Sequence, residues 1–461
     1  MQIFALVIVP QMRNRHKMAR RTRDRQSARR TKTSVWYDRT RVGTLIKETD
    51  GGISFTYATS WTQNDDAFPV ASVLSLTTKI WRGDPVIAAF DNLLPDAEGE
   101  LRAKIAERIG APGKDVFSLL SVLGRDCVGA LQFLPYEDEP NVQDMDYREI
   151  SEEEMVADLQ NLAAAPLAQG DDDDFRISIA GTQEKTAYLS VGNRWAKPRG
   201  ITPTSHIFKT PMGILPGPEA IDLSDSVENE LFCMTLAKEV GLPVAAAQKI
   251  SLPGQVALAV ERFDRRWEGA ILKRLPQEDI CQSLGFPSAR KYQKSGGPGI
   301  RQIMELLRES DDPTSDRETF FKAQIFFYLI GASDGHAKNF SLRLGKRGRF
   351  KLAPLYDILS IAPVVRAGRL QRKRFRLAMS IGGHYGVDEI VPRHFEQEGR
   401  DSGLPRNRAL ELLVDMIDGL NPAIERTRRE LQDQVPLGVS EPIALDAIER
   451  AAQVTEILNS E

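Results

Sequence analysis

The sequence predicts an α+β protein in which a small mixed domain precedes a β-rich lobe and a helical lobe. Three observations predict that division. Short β-type runs crowd residues 176–262. Amphipathic helical patterns dominate the later part of the chain, at residues 301–309, 317–330 and 406–418. Between the second and third of these stands Ser333-Asp334-Gly335-His336-Ala337-Lys338-Asn339-Phe340, with Tyr356-Asp357 a short hairpin later.

Taken in order, residues 1–33 crowd Arg13, Arg15, Lys17, Arg20, Arg21, Arg23, Arg25, Arg29, Arg30 and Lys32 together with only Asp24 to oppose them. Such a self-repelling run should be a disordered extension. It reads as an upstream start, with the true start at Met18 or later, or as a nucleic-acid-binding arm. Residues 34–139 alternate strand-like runs (Val35-Trp36-Tyr37, Ile53-Ser54-Phe55-Thr56-Tyr57) with helical patterns. One of these is a helix over 96–109, opened by Pro95-Asp96 and closed by Gly110. Residues 140–175, an acidic helix and then Asp171-Asp172-Asp173-Asp174, read as a solvated linker, with a metal-binding run as the alternative. The β-rich lobe, 176–265, holds Arg176-Ile177-Ser178-Ile179, Thr186-Ala187-Tyr188-Leu189 and His206-Ile207-Phe208-Lys209. A helix over 227–240, ended by Gly241-Leu242-Pro243, and a strand over 257–262 complete it. The helical lobe spans 266–440, and 441–461 is a C-terminal helix or tail.

Hydrophobic residues at 41% and charged residues at 27% are ordinary for soluble domains, and a net charge of −3 gives no global pull toward nucleic acid. Cys127, Cys233 and Cys281 are far apart, odd in number and without a C-x-x-C pair, which argues against a disulfide framework or zinc site and fits a reducing cytoplasm. No apolar run approaches the roughly 20 residues of a membrane span. The apolar stretch 3–9 precedes its basic residues and lacks a small-residue cleavage site, so export is not expected. Five histidines without an H-x-x-x-H pair argue against catalytic zinc.

Asp334 and Asn339 stand in the D-x-x-x-x-N spacing of a protein-kinase catalytic loop, and Asp357 falls where a metal-binding aspartate is expected. Phosphoryl transfer needs one carboxylate to orient an acceptor hydroxyl, an amide oxygen on Mg²⁺ and a second carboxylate on the metal. Lys209 ends a β-run, where an ammonium can neutralise phosphate charge if a helix carboxylate holds it; Glu228 and Glu230 both qualify, and Glu230 is preferred. Ala180 and Gly181, within Ser178-Ile179-Ala180-Gly181-Thr182-Gln183-Glu184-Lys185, permit backbone approach to phosphates, but G-x-x-x-x-G-K-[ST] is absent and a plain hairpin turn is the competing reading. Val260-Glu261-Arg262-Phe263-Asp264 reads as an interlobe hinge offering its main chain to adenine, unless Arg262 and Asp264 form a structural ion pair. His336 reads as scaffold rather than base, since Asp334 suffices, and Lys338 as a bridge to the transferred phosphate.

The ordered set formed by the 175–186 loop, His206-Ile207-Phe208-Lys209, Val227-Glu228-Asn229-Glu230, Val260-Glu261-Arg262-Phe263-Asp264-Arg265, Gln277-Glu278-Asp279, the Gly331-to-Ser341 loop and Tyr356-Asp357 resembles the HipA family, kinase toxins of bacterial type II toxin–antitoxin pairs. Arg41-Val42-Gly43-Thr44-Leu45, Phe90-Asp91-Asn92-Leu93-Leu94-Pro95-Asp96 and Gly124-Arg125-Asp126-Cys127-Val128-Gly129-Ala130 resemble that family's first domain. The resemblance implies a kinase-like bilobal fold that uses ATP and Mg²⁺, with Asp334 catalytic, Asn339 and Asp357 on the metal and Lys209 on phosphate. It also implies that Ala180, Gly181, Thr182, Gln183, Glu184 and Lys185 cover the phosphates, that Glu261, Arg262 and Phe263 meet adenine, and that His336, Ala337, Lys338, Asn339, Tyr356 and Asp357 line the pocket. The resemblance further implies that the family's inhibitory autophosphorylation site falls on Ser178, where about −1.5 to −2 charge would repel nucleotide. The implied partners are a HipB-like helix-turn-helix antitoxin, operator DNA through that antitoxin, and an aminoacyl-tRNA synthetase, glutamyl-tRNA synthetase above all, as substrate. The implied place is the cytoplasm, nucleoid-associated when antitoxin-bound. The basic head and the weakly basic region after Phe395 depart from the pattern, so direct operator contact is not expected. An aminoglycoside- or choline-type phosphotransferase and a non-catalytic co-repressor are the alternatives.

Overall fold

The structure, a computed structural model, describes residues 31–96, 101–140, 145–162, 183, 185–214 and 221–460. The basic head to residue 30, the acidic run 171–174, the strand expected at 176–179 with Ser178, and Ala180, Gly181, Thr182 and Glu184 lie outside them.

In the first domain five antiparallel strands run in the order Ile80–Arg82, Ile53–Tyr57, Thr40–Lys47, Lys32–Tyr37, Gln132–Pro135. Helices Asp84–Asp91, Leu101–Arg108 and Val116–Leu123 pack on them around Val35, Phe55, Phe90, Leu120 and Phe133. The sheet begins at Lys32, inside the expected extension, because Thr33 pairs on both sides, with Leu45 and Pro135. Packing dictates Gly43: a Cβ there would lie 2.5 Å from the Phe55 ring. Of the helix expected over 96–109, Leu101–Arg108 is seen, and Asp96 lies outside it.

The second lobe is a six-stranded sheet, Ala247–Leu252, Gln255–Glu261, His206–Lys209, Lys185–Val191, Arg194–Pro198, Tyr147–Glu149, every pairing antiparallel. Its far edge shows the acidic helix expected in 140–175 and corrects the reading of that stretch as a solvated linker. Tyr147–Glu149 is a strand of the sheet, and helix Glu152–Asn161 buries Met155, Leu159 and Leu162 against Tyr188, Phe208 and Ala259. Apolar residues at i, i+4 and i+7 on an otherwise acidic helix give it one inward stripe, and a Ser151–Glu154 capping box starts it.

Helix Ser226–Glu239 bridges the lobes, burying Leu231, Phe232 and Met234 in the large core of the third lobe. Gly241 follows at φ 86, the left-handed turn that ends it. That core is built on helices Pro313–Ile330, Arg408–Glu430 and Leu437–Ser460. Two expectations are corrected here. The helix expected to stop at 418 runs on to Glu430 through Pro422, because Leu420, Ala423, Ile424 and Thr427 continue its buried face. The division at 440/441 falls inside helix Leu437–Ser460, whose Val439, Ile443, Ala447 and Val454 belong to the same core. From this helix Arg450, paired with Asp446, donates to the Leu329 and Tyr328 carbonyls at 2.7 and 3.2 Å. It thus caps the helix that leads into the 331–340 loop with a buried cation at its negative end.

Candidate active site

A cleft of about 370 Å³ between the second and third lobes is lined by Lys185, Lys209, Glu230, Asp334, His336, Asn339, Tyr356 and Asp357, among others. Its size is that of a small-ligand site.

On the helical side, Gly331 at φ 72 ends helix Pro313–Ile330 and turns the chain into the loop. Gly335 is required by contact, since a Cβ would sit 2.4 Å from the Phe327 ring. Asn339 donates through Nδ2 to the Asp334 carbonyl at 2.8 Å. That bond fixes which end of the amide is nitrogen and leaves Oδ1 as an acceptor. The Asp334 side chain is 58% exposed. His336 is buried, its Nε2 lies 3.9 Å from Asp334 Oδ2, and burial pushes its imidazole toward the neutral form. Its Nδ1 has no hydrogen-bond partner among the described residues.

On the sheet side, Lys209 reaches Glu230 at 2.7 Å and Asp357 at 2.6 Å. Geometry therefore separates the two candidate carboxylates: Glu230 holds Lys209, and Glu228 pairs with Lys249 at 2.5 Å. Partial desolvation in the cleft would raise the Asp357 carboxyl, but the Lys209 and Lys185 ammoniums hold it well below the usual carboxylate range. Burial would lower Lys209, and the two carboxylates raise it instead. Asp357 sits at φ 60, a left-handed conformation that a non-glycine residue adopts only where its surroundings impose it. Lys185 stands directly across the strand pair from Lys209, and burial brings its ammonium down to about 8. Gln183 lines the same cleft and donates to the Thr210 carbonyl at 2.9 Å.

At the crossing between lobes, the Glu261 N–H is taken by the Ala246 carbonyl at 2.8 Å and the Arg262 N–H by the Ser205 carbonyl at 2.9 Å. The Glu261 and Arg262 amides are thus spent. The Phe263 N–H forms no hydrogen bond with a described residue, and its ring lies against Tyr356 with centroids 5.6 Å apart. The Arg262 guanidinium does not face the cleft as a ligand group: it forms the structural ion pair with Asp264, at 2.9 and 3.0 Å. Two further pocket expectations are corrected. Ala337 is fully buried in the core rather than lining the cleft. Lys338 lines it, but its ammonium is spent on Asn92 Oδ1, the Asn92 carbonyl and Asp279 Oδ2 at 2.8, 3.2 and 3.1 Å, which makes it a strut rather than a bridge to phosphate.

Those bonds expose what sequence reasoning missed. The first-domain motifs dock onto the segments around the cleft: Asn92 on Lys338, Asp96 on Lys291 at 2.5 Å, and Asp126 on Arg262, Arg265 and Arg274. Tyr292 donates to Asp334 Oδ1 at 2.5 Å. The nearest signal in the sequence was the turn-dense Gly296-Gly297-Pro298-Gly299 beside it, where a Cβ on Gly297 would lie 1.9 Å from the Arg290 carbonyl.

Family comparisons agree with this architecture. The HipA N-terminal domain model matches residues 33–134 and the HipA-like C-terminal domain model residues 177–424. A protein named putative kinase Y4mE, from Sinorhizobium fredii, is 32% identical over 406 residues, which cover 87% of this chain and 92% of the relative. The serine/threonine-protein kinase toxin HipA of Shewanella oneidensis is 26% identical over 382 residues, 80% of this chain and 82% of that one. The solved complex of Shewanella oneidensis HipA with HipB and its operator DNA superposes with a TM-score of 0.75 at 23% identity, over 92% of this chain and 97% of that one, so the kinase-like bilobal fold is shared. By the two matched domain models and the near full-length Sinorhizobium relative, the chain belongs to the HipA family.

Proposed function

We propose that this chain is an ATP- and Mg²⁺-dependent serine/threonine protein kinase that acts as the toxin of a toxin–antitoxin pair. The observation that carries the proposal is Lys209 held between Glu230 and Asp357 on one wall of a cleft whose other wall presents Asp334 and Asn339.

The donor set fits magnesium. Asn339 Oδ1 and the Asp357 carboxylate are hard oxygens, and among the described residues no cluster of three or more His, Cys, Asp or Glu forms a cage. Magnesium takes one or two protein oxygens and completes its shell with water and phosphate. Bound there, it would neutralise charge on the nucleotide phosphates. Lys209 and Lys185 supply positive charge to the same phosphates, Gln183 borders them, and Phe263 with Tyr356 borders the adenine. Asp334, exposed on the rim, orients the acceptor hydroxyl, while buried His336 serves as scaffold. A rim carboxylate suits a serine presented by another protein.

Within this reading Ser178 is the autophosphorylation site, a HipB-like antitoxin is the partner that carries operator DNA, and the acceptor is an aminoacyl-tRNA synthetase, glutamyl-tRNA synthetase first. The Shewanella HipA complex supports the antitoxin assignment by its fold alone. No helix among the described residues is long and apolar enough to cross a membrane.

The test is transfer of label from γ-labelled ATP with Mg²⁺ into a bacterial lysate. A labelled band that comigrates with glutamyl-tRNA synthetase is expected, together with self-labelling that Ser178→Ala abolishes while ATP affinity stays unchanged. Label confined to small molecules would replace the protein kinase by a small-molecule phosphotransferase.

A further inference from the structure

Beside the catalytic loop stands a side chain to which the phosphoryl-transfer reading assigns nothing. The Tyr292 hydroxyl donates to Asp334 Oδ1 at 2.5 Å, and its ring meets His336 edge-on with centroids 4.9 Å apart. On the other side of the same carboxylate, Oδ2 faces His336 Nε2 at 3.9 Å, too far for a hydrogen bond. Asp334 is exposed, and a terminal carboxylate torsion is broad unless a partner fixes it. Tyr292 is that partner, and it is itself fixed from behind. Its carbonyl accepts from the Ser295 and Gly297 N–H groups, each at 3.0 Å. The Lys291 carbonyl accepts from the Ala337 N–H of the catalytic loop at 3.2 Å, and the Lys291 ammonium reaches Asp96 of the first domain at 2.5 Å.

Resting on the reading of Asp334 as the group that orients the acceptor, we propose that Tyr292 is a positioning residue for phosphoryl transfer. Its phenol holds Asp334 Oδ1 and so keeps Oδ2 turned to the acceptor hydroxyl, and the first domain holds Tyr292 in place through the Asp96–Lys291 ion pair. In the transfer the acceptor O–H proton passes to Asp334 Oδ2 as the acceptor oxygen bonds to the γ-phosphorus. The bond from that phosphorus to the β–γ bridging oxygen breaks, and its electron pair leaves on ADP. Tyr292 keeps its own proton throughout. The first domain is then part of the catalytic apparatus, reaching the reacting carboxylate through three side chains.

The experiment uses full-length protein, γ-labelled ATP with Mg²⁺ and a bacterial lysate as acceptor pool, with initial rates over a range of ATP concentrations. Tyr292→Phe keeps the ring against His336 and removes only the hydroxyl. It is expected to lower the maximal rate roughly tenfold, as a slightly misplaced reacting group does, with the thermal midpoint and half-saturating ATP unchanged. Asp96→Asn should lower the rate in the same sense, and the double variant should be no slower than the slower single one, because both act on one carboxylate. A Tyr292→Phe rate equal to wild type, alongside an inactive Asp334→Asn, overturns the proposal alone. A faster Tyr292→Phe overturns it too and makes the phenol a blocker of the acceptor's place. Transfer retained by Asp334→Asn, or absent from the wild type, removes the kinase reading and this proposal with it.

Discussion

Two of the charge clusters among the described residues, one in the cleft and one where the first domain meets the interlobe crossing, differ in what is left over. At the crossing, Asp126 receives Arg262, Arg265 and Arg274, at 3.3, 2.8 and 3.0 Å, and the Thr204 hydroxyl at 2.7 Å. Asp264 there receives Arg262 and the Gly129 N–H, at 2.9 and 2.6 Å. All five charged side chains are buried, and both carboxylates have their oxygens filled. In the cleft, Asp357 gives one oxygen to Lys209, leaves the other without a hydrogen bond from a described residue, and is 39% exposed. In the first arrangement both carboxylates are filled, although Arg265 Nε has no partner among the described residues, and it holds parts together. The second keeps spare acceptor capacity pointed at an opening, which is what a binding site needs. Charge density alone does not distinguish a lock from a site; unfilled valence next to space does.

The sharpest break between the two comes from removing one group from each side. Asp334→Asn is expected to cut label transfer by about 10²–10⁴, the range for a positioned acid–base group, while leaving the thermal midpoint within a degree or two, since its side chain is mostly exposed. Equal transfer by the two proteins would take Asp334 out of the chemistry. Asp126→Asn should do the reverse. It keeps the shape but leaves three guanidiniums facing a single carboxylate, and breaking a buried network of this kind costs about 3–5 kcal/mol. Its denaturant midpoint should fall sharply while the folded fraction keeps its half-saturating ATP. A midpoint unchanged by Asp126→Asn would mean the crossing is held elsewhere.

That contrast also marks how far the sequence could be read. Spacing picked out residues that the fold brings to one cleft: Asp334, Asn339, Asp357 and Lys209 were legible as a group because a D-x-x-x-x-N loop and a strand-end lysine are local patterns. The helix read over 317–330, which begins at Pro313, and the strand His206–Lys209 were legible as local elements too. What stayed hidden depends on partners far away in the chain. Lys338 looked like a phosphate ligand until Asn92, 246 residues earlier, took its ammonium. Arg262 was read as hinge or as the ion-pair partner of Asp264, and what stayed hidden was its second carboxylate, Asp126, 136 residues earlier. Tyr292 gave no local sign of the bond it makes to Asp334. The acidic helix before residue 162 was legible, but its place on the sheet was not, because its apolar residues are sparse and count only once the sheet they cover is known.

The mildest test of the comparison uses pH, because a saturated lock should be indifferent to it near neutrality and a site with spare charge should not. Lys185 is buried across from Lys209, and burial lowers its ammonium to about 8, below the usual lysine value of about 10.4. The unfolded chain therefore holds that proton more tightly than the folded one, so the unliganded fold should gain stability as pH rises from about 8 toward the usual lysine value. Nucleotide binding should move the opposite way. Below about 8 the ammonium is charged and attracts phosphate; above it the charge is lost, and ATP should bind up to about tenfold more weakly by pH 9.5. Lys185→Arg, whose guanidinium stays charged, should flatten the affinity profile over the same range. Titration of ATP affinity by calorimetry from pH 6.5 to 9.5 on both proteins checks it. Parallel profiles would show that Lys185 carries no phosphate and would leave the positive wall of the cleft to Lys209 alone.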